Sequence, residues 1–233
     1  MAEMFRRAVS LLAALLLLPV AAQAAPARDW SKVVALSPTG SFVQGNPKAK
    51  VRVIEYASYT CPHCGVLARD AIVQLEAHYV KTGQVSYEFR NAVRDRYDYV
   101  AALLARCAGP KGFFPVSAAI FATQEQWFAT ALTFDSGPAG DVGSLPDADK
   151  PVALAKGAGL DAVAARQGIA ADRQRVCLND QAQMNIVGKM SDEAWRERKI
   201  PGTPYILIND VPAEHVADWP TLQARIDEAL KQK

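Results

Sequence analysis

The sequence predicts an α/β fold in which a small sheet is built from two separated stretches of chain, with a block of helices between them. Three observations carry this reading. A strand–helix–strand order occupies residues 51–93, no convincing strand pattern runs from about Arg94 to Lys199, and strand signals return after Pro201-Gly202-Thr203-Pro204.

The amino terminus is set aside before any fold is built. Arg6 and Arg7 form a positive start, Ala8 to Ala22 is a mostly apolar run around a Leu-rich centre, and Ala22-Gln23-Ala24 places small residues at a cleavage position. This is the pattern of a secretory signal peptide over residues 1–24, with cleavage expected after Ala24. An uncleaved membrane anchor is the alternative, but the run is shorter than the roughly 20 apolar residues a span needs, and Pro19 interrupts it. The exported chain is expected to be periplasmic.

Residues 25–50 read as a weakly patterned lead-in with one short strand near Val33 to Leu36. Val51 to Ala57 is a strand by composition, and apolar residues at Leu67, Ala71, Ile72, Leu75 and Tyr79 then follow helical spacing until Gly83 stops the helix. Val85 to Ala92 is the next strand. Residues 94–199 read as an inserted helical domain, with helices near Tyr97 to Cys107, Phe114 to Trp127, Val152 to Gln167, Ala171 to Cys177 and Gln181 to Arg198. A Gly-, Asp-, Pro- and Ser-rich stretch from Thr133 to Pro151 reads as an exposed loop. In residues 200–233, Tyr205 to Ile208 is a strand and Asn209-Asp210 a tight turn, with Val211 to His215 as hairpin partner. A last helix follows Pro220, with Leu222, Ile226, Ala229 and Leu230 on its apolar face. The order βαβ, helices, ββα is that of a thioredoxin-like fold with an inserted α-helical domain, its core split between residues 51–93 and 200–233.

Charge excludes some functions. Without Glu3, Arg6 and Arg7 the chain carries 24 basic and 23 acidic residues, which gives no case for a nucleic acid or an anionic membrane as partner. Four cysteines in an exported chain point to disulfide chemistry. Two of them form Cys61-Pro62-His63-Cys64 where the helix begins; Cys107 and Cys177 stand alone. The thiolate is the reactive form of cysteine, and at a helix start free backbone N–H groups and the positive end of the dipole favour the anion on Cys61. His63 adds a further donor or positive charge, and Pro62 fixes the first turn at a position that needs no donor. Cys64, one turn inward, is the resolving thiol. Half of a zinc site is the competing reading of a CxxC, but neither Cys107 nor Cys177 has a neighbour at metal-ligand spacing; Gly65 after Cys64 excludes the haem-attachment motif. No metal or cofactor is expected.

Glu55 six residues before the CPHC, the stretch Gly45-Asn46-Pro47-Lys48-Ala49-Lys50-Val51 and the late Gly202-Thr203-Pro204 together resemble the DsbA-like family of bacterial periplasmic thiol–disulfide oxidoreductases, over roughly Gly45 to Lys233. The resemblance implies an enzyme that donates its Cys61–Cys64 disulfide to unfolded, reduced exported proteins. It also implies reoxidation by a DsbB-like, quinone-linked membrane protein. Pro204 then corresponds to a cis-proline packed against the disulfide, with the Thr203 backbone pairing with extended substrate. Glu55 corresponds to a buried acid that handles the proton of the inner thiol, with Arg90 as a charge partner; from the residues alone, a surface position on a strand edge is equally open. Some family members carry a second bridge, so Cys107 and Cys177 are expected to form a structural disulfide closing about 71 residues.

An isomerase or reductase of the same fold is the second reading. Isomerases of the DsbC type carry an amino-terminal dimerisation domain, for which the lead-in is too short, so a monomer is expected. A copper-handling or client-binding module is a third reading; its usual CxxxC spacing is absent. His78 and His215 have no constellation around them, and Trp127, Trp195 and Trp219 read as core or rim residues.

Overall fold

The structure, a computed structural model, describes residues 28–232, so the signal-peptide segment lies outside the described residues. Six strands form one mixed sheet: β1 (Val34–Leu36), β2 (Phe42–Gly45), β3 (Val51–Ala57), β4 (Val85–Asn91), β5 (Tyr205–Ile208) and β6 (Val211–Pro212), in the order β1-β2-β4-β3-β5-β6. Only β3 and β4 are parallel, with Glu55 opposite Phe89 and Ala57 opposite Asn91. β5 lies antiparallel on the other side of β3, so β3 is flanked by β4 and β5.

The lead-in contributes more than the sequence pattern indicates. Besides β1 it supplies β2, which pairs with β4 from Phe42↔Phe89 to Gly45↔Ser86. Phe42-Val43-Gln44-Gly45 is short and ends in glycine, so its strand character comes from packing: Phe42 is buried and stacks on Phe113, with ring centroids 4.2 Å apart. At Gly45, φ is +114° and a Cβ would meet the Val85 carbonyl oxygen at 2.8 Å, so glycine is required there.

Period-two alternation along β3 and β4 sends side chains to two different cores. Val53, Tyr87 and Phe89 join the main core, which runs without a break into the helices that follow. Ile54, Tyr56 and Leu207 face the other way, onto Ala194 and Ile200. The helix after β3 begins as α1 (Pro62–Leu67), continues through π-type turns at Ala68–Ile72 and Glu76–Val80 around the short α2 (Val73–Leu75), and ends at Gly83, where φ is +84°.

The helical block runs through α3 (Arg96–Cys107), α4 (Gly109–Ala122), α5 (Gln124–Ser136), α6 (Lys150–Ala158), α7 (Leu160–Arg166), α8 (Ala171–Leu178) and α9 (Gln181–Asp192). Two expected helices are each divided. Phe114 to Trp127 breaks at Thr123 between α4 and α5, and Val152 to Gln167 breaks at Gly159, whose φ of +75° ends α6. The Thr133–Pro151 stretch is less of a loop than its composition implies. α5 runs on to Ser136, two 3₁₀ turns follow, and Gly140 and Val142 are buried. Cys107 at the end of α3 and Cys177 in α8 are joined by a disulfide, Cα to Cα 5.5 Å.

After a π-type turn at Glu193–Glu197 the chain returns to β5. Asn209 and Asp210, with φ of 51° and 66°, make the hairpin turn; β6 is only Val211–Pro212, shorter than the expected partner strand. α10 (Trp219–Lys231) is capped by the Asp218 carboxylate, which accepts from Thr221 N–H. Among the described residues no helix is long and apolar enough to cross a membrane.

Candidate active site

Cys61 occupies the N-cap position of α1, with φ −84° and ψ 117°, where a helix usually places Ser, Thr, Asp or Asn. Pro62 takes the first helical position, where no donor is required. The next two N–H groups, on His63 and Cys64, are therefore available to the Cys61 sulfur. In the thiol form Sγ instead donates to the Thr203 carbonyl at 3.0 Å. On ionisation the balance reverses. The Cys64 thiol donates to the Cys61 sulfur, the Thr203 side chain and the N–H groups of Cys64 and His63 add to it, and against the cost of burial they lower the Cys61 thiol to about 5. Cys64 is fully buried, and burial together with its donation to Cys61 pushes its thiol far above the ordinary range.

The His63 ring is exposed and makes no hydrogen bond with the described residues. Its contribution at Cys61 comes through its backbone N–H, where the sequence pointed to the side chain. The Thr203–Pro204 peptide is cis, and this turn brings the Thr203 carbonyl to the sulfur.

Glu55 lies under this helix start. It is 1 % exposed, which settles the open choice against a strand edge. Its Oε2 accepts from the Tyr87 hydroxyl, and its Oε1 has no partner among the described residues. Burial raises its carboxyl to about 7, more than the Tyr87 hydrogen bond lowers it. Arg90 is not its partner. Neighbours along a strand alternate faces, and Arg90 sits on the far side of the sheet, where it binds Glu88 at 2.7 Å and Glu193 at 3.3 Å.

Several residues outside the CPHC motif hold this junction. Asp98 is buried and accepts from the N–H of Tyr59 at 2.7 Å and of Arg94 at 2.9 Å, tying the β3–α1 turn to the start of the helical block. Burial raises Asp98 to about 7. Asp95 caps α3 and accepts from Thr60 Oγ1. Gln124, at the head of α5, donates to the carbonyls of Tyr59 and Cys61 at 2.7 and 2.8 Å. A side chain at Gly65 would collide with that Gln124 carboxamide, so glycine follows Cys64 for steric reasons. In the sequence these are ordinary polar residues of helix starts; only their long-range partners reveal them.

Trp195 is a rim residue, packed against the core cluster that holds Ile54, Tyr56 and Ile200. Half-buried, with Nε1 donating to the Val93 carbonyl at 2.9 Å, it lines an open groove of about 490 Å³ with Cys61, His63, Arg94, Gly202 and Thr203. Trp127 is buried in the helical core and Trp219 packs on Tyr79, while His78 hydrogen-bonds only Gln74.

The thioredoxin family model Thioredoxin_4 matches residues 37–228, most of the chain. The chain belongs to the thioredoxin family. A solved protein-disulfide isomerase from Novosphingobium aromaticivorans is 30% identical, with a TM-score of 0.73 over 82% of this chain and 97% of that one. Wolbachia pipientis alpha-DsbA1 has the same fold at 24% identity, with a TM-score of 0.66 over 84% and 93%. A Rickettsia conorii protein with a provisional name as a protein-disulfide oxidoreductase is 26% identical over 89% of this chain and 67% of its own length. The protein is thus a thiol:disulfide oxidoreductase of thioredoxin-like, DsbA-like fold.

Proposed function

We propose that this thioredoxin-family enzyme is a disulfide donor that acts on newly exported, reduced proteins, and that a DsbB-like membrane protein restores its disulfide. The observation that carries the direction is the opposed environment of the two sulfurs. Cys61 sits among donors that favour its anion; Cys64 is buried where an anion is disfavoured.

The reaction balances as two exchanges. A client thiolate attacks Cys61 Sγ in the Cys61–Cys64 disulfide; the client–Cys61 bond forms, and Cys64 leaves as a thiolate that must take up a proton. A second client thiolate then attacks the client sulfur of the mixed disulfide and expels the Cys61 thiolate. Two electrons pass from two client thiols to the protein. Glu55, with its unpartnered Oε1, serves as the proton store for Cys64. Thr203, beside cis-Pro204, presents backbone to an extended client. Because leaving as a stabilised thiolate is easy for Cys61, the second exchange runs toward oxidised client.

Equilibration of the purified protein with glutathione, followed by Trp fluorescence, tests the direction. A potential well above the about −270 mV of thioredoxin is expected; one as reducing as thioredoxin's would remove the donor reading. The isomerase name of the Novosphingobium structure keeps a second reading in view. Efficient reshuffling of a scrambled multi-disulfide substrate, with poor oxidation of a reduced one, would favour it.

A further inference from the structure

We infer that the groove beside Cys61 selects client segments carrying an acidic side chain close to the reacting cysteine, and that Arg94 is the residue that reads it. The inference rests on the disulfide-donor reading above and adds a substrate class to it.

The groove is bounded on one side by the helix start, with Cys61, Pro62 and His63. The cis-proline turn closes another side with Pro201, Gly202 and Thr203, and Arg94 and Trp195 complete it. No acidic side chain lines it. Arg94 is exposed and makes no ion pair with the described residues; only its backbone N–H is used, donated to Asp98. A guanidinium is always charged and offers a planar set of donors, which suits a carboxylate.

The nearby acids are engaged elsewhere. Asp95 accepts from Thr60, Tyr97 N–H and Asp98 N–H. The Asp98 carboxylate binds two backbone N–H groups. Glu193 is taken by Tyr56, Arg90 and Arg198. Arg94 is therefore a free cation at the place where a client's thiol must arrive. Its backbone is pinned by Asp98, and the Trp195 indole is pinned to Val93 next door.

The whole chain is close to neutral, with 26 basic and 24 acidic residues, so long-range steering by net charge is weak. Discrimination must be local, and it must show in the neighbours of the reacting cysteine. An exposed charge pair changes an equilibrium or a barrier by at most about 1 kcal/mol, which is about fivefold.

The test uses the oxidised full-length protein and matched synthetic peptides with one cysteine flanked by Glu, Gln or Lys. Mixed-disulfide formation is timed at low ionic strength, and each rate is divided by that peptide's thiolate fraction, fixed by its reaction with a small-molecule disulfide. The wild type is expected to favour the Glu peptide over the Lys peptide by about fivefold. The ratio should fall toward one in high salt. In Arg94→Gln it should be close to one, and in Arg94→Glu it should invert. A wild-type ratio of one at low salt overturns the inference, as does a ratio that Arg94→Gln leaves unchanged. Reaction with no peptide thiol at all would instead overturn the disulfide-donor reading beneath it.

Discussion

The molecule holds two cysteine pairs of opposite design. Cys61 and Cys64 are three residues apart at the start of one helix, both buried and not joined to each other. Cys107 and Cys177 are 70 residues apart on α3 and α8, and are already joined. The first pair is built asymmetrically: donors collect on one sulfur and are withheld from the other. The second ties α3 to α8, with Cα atoms 5.5 Å apart. The difference teaches that a disulfide's task is set by what surrounds the reduced sulfurs. Stabilising the reduced state makes a bond that is readily given away; a bond that only closes a long loop gains nothing from being opened.

Replacing the cysteines of each pair should separate these tasks most sharply. Cys61→Ser should abolish disulfide transfer to a reduced protein, and Cys64→Ser should accumulate the mixed disulfide at Cys61, visible as a shifted band on a non-reducing gel. Retained transfer in Cys61→Ser would break the contrast. Replacing Cys107 and Cys177 together by Ala should leave transfer in place and lower stability by up to about 4 kcal/mol, read from denaturant unfolding, because the loop closed is long.

The buried acid gives the next effect. Glu55 has a folded-state carboxyl raised to about 7 against 4.5 in the open chain. Such a group destabilises the fold as it ionises: the penalty is absent below about pH 4.5, grows up to 7 and is complete above it. Glu55→Gln keeps an oxygen for the Tyr87 hydroxyl and removes the ionisation. The reduced variant should gain up to about 3 kcal/mol at pH 8 and almost nothing at pH 4. An equal gain at both would mean that Glu55 is not held as a buried acid.

The same contrast explains what could be read from the chain alone. The CPHC, its position after a strand and the late Thr-Pro are local patterns, and local chemistry fixes a helix start and its dipole. Cys61 was legible for that reason. Strand β2 was not, because Phe42 to Gly45 owes its strand to Phe113 and β4, far along the sequence. Asp98 and Gln124 are hidden for the same reason: the partners that tie them to the β3–α1 turn lie 39 and 63 to 65 residues away. The family resemblance offers Arg90 as the charge partner of Glu55. The two-residue alternation of a strand then puts them on opposite faces of the sheet, a fact the register supplies and the composition does not.

The finest test bears on the asymmetry itself and predicts almost no change. With its thiol lowered to about 5, Cys61 is already a thiolate across the neutral range. Its alkylation by iodoacetamide should vary by less than about twofold between pH 6.5 and 8. An ordinary thiol of pKa about 8.5 gains more than tenfold over the same interval. A depressed pKa also contributes stability to the reduced protein that is fully present above the open-chain value and is lost as pH falls through 5. The reduced form should therefore lose this advantage over the oxidised form steadily from about pH 9 to pH 5, and the loss should level off where the Cys61 absorbance at 240 nm disappears. If the loss levels off well above or below the pH at which that absorbance disappears, groups other than the Cys61 thiolate hold the reduced state, and the two cysteine pairs differ less than their surroundings imply.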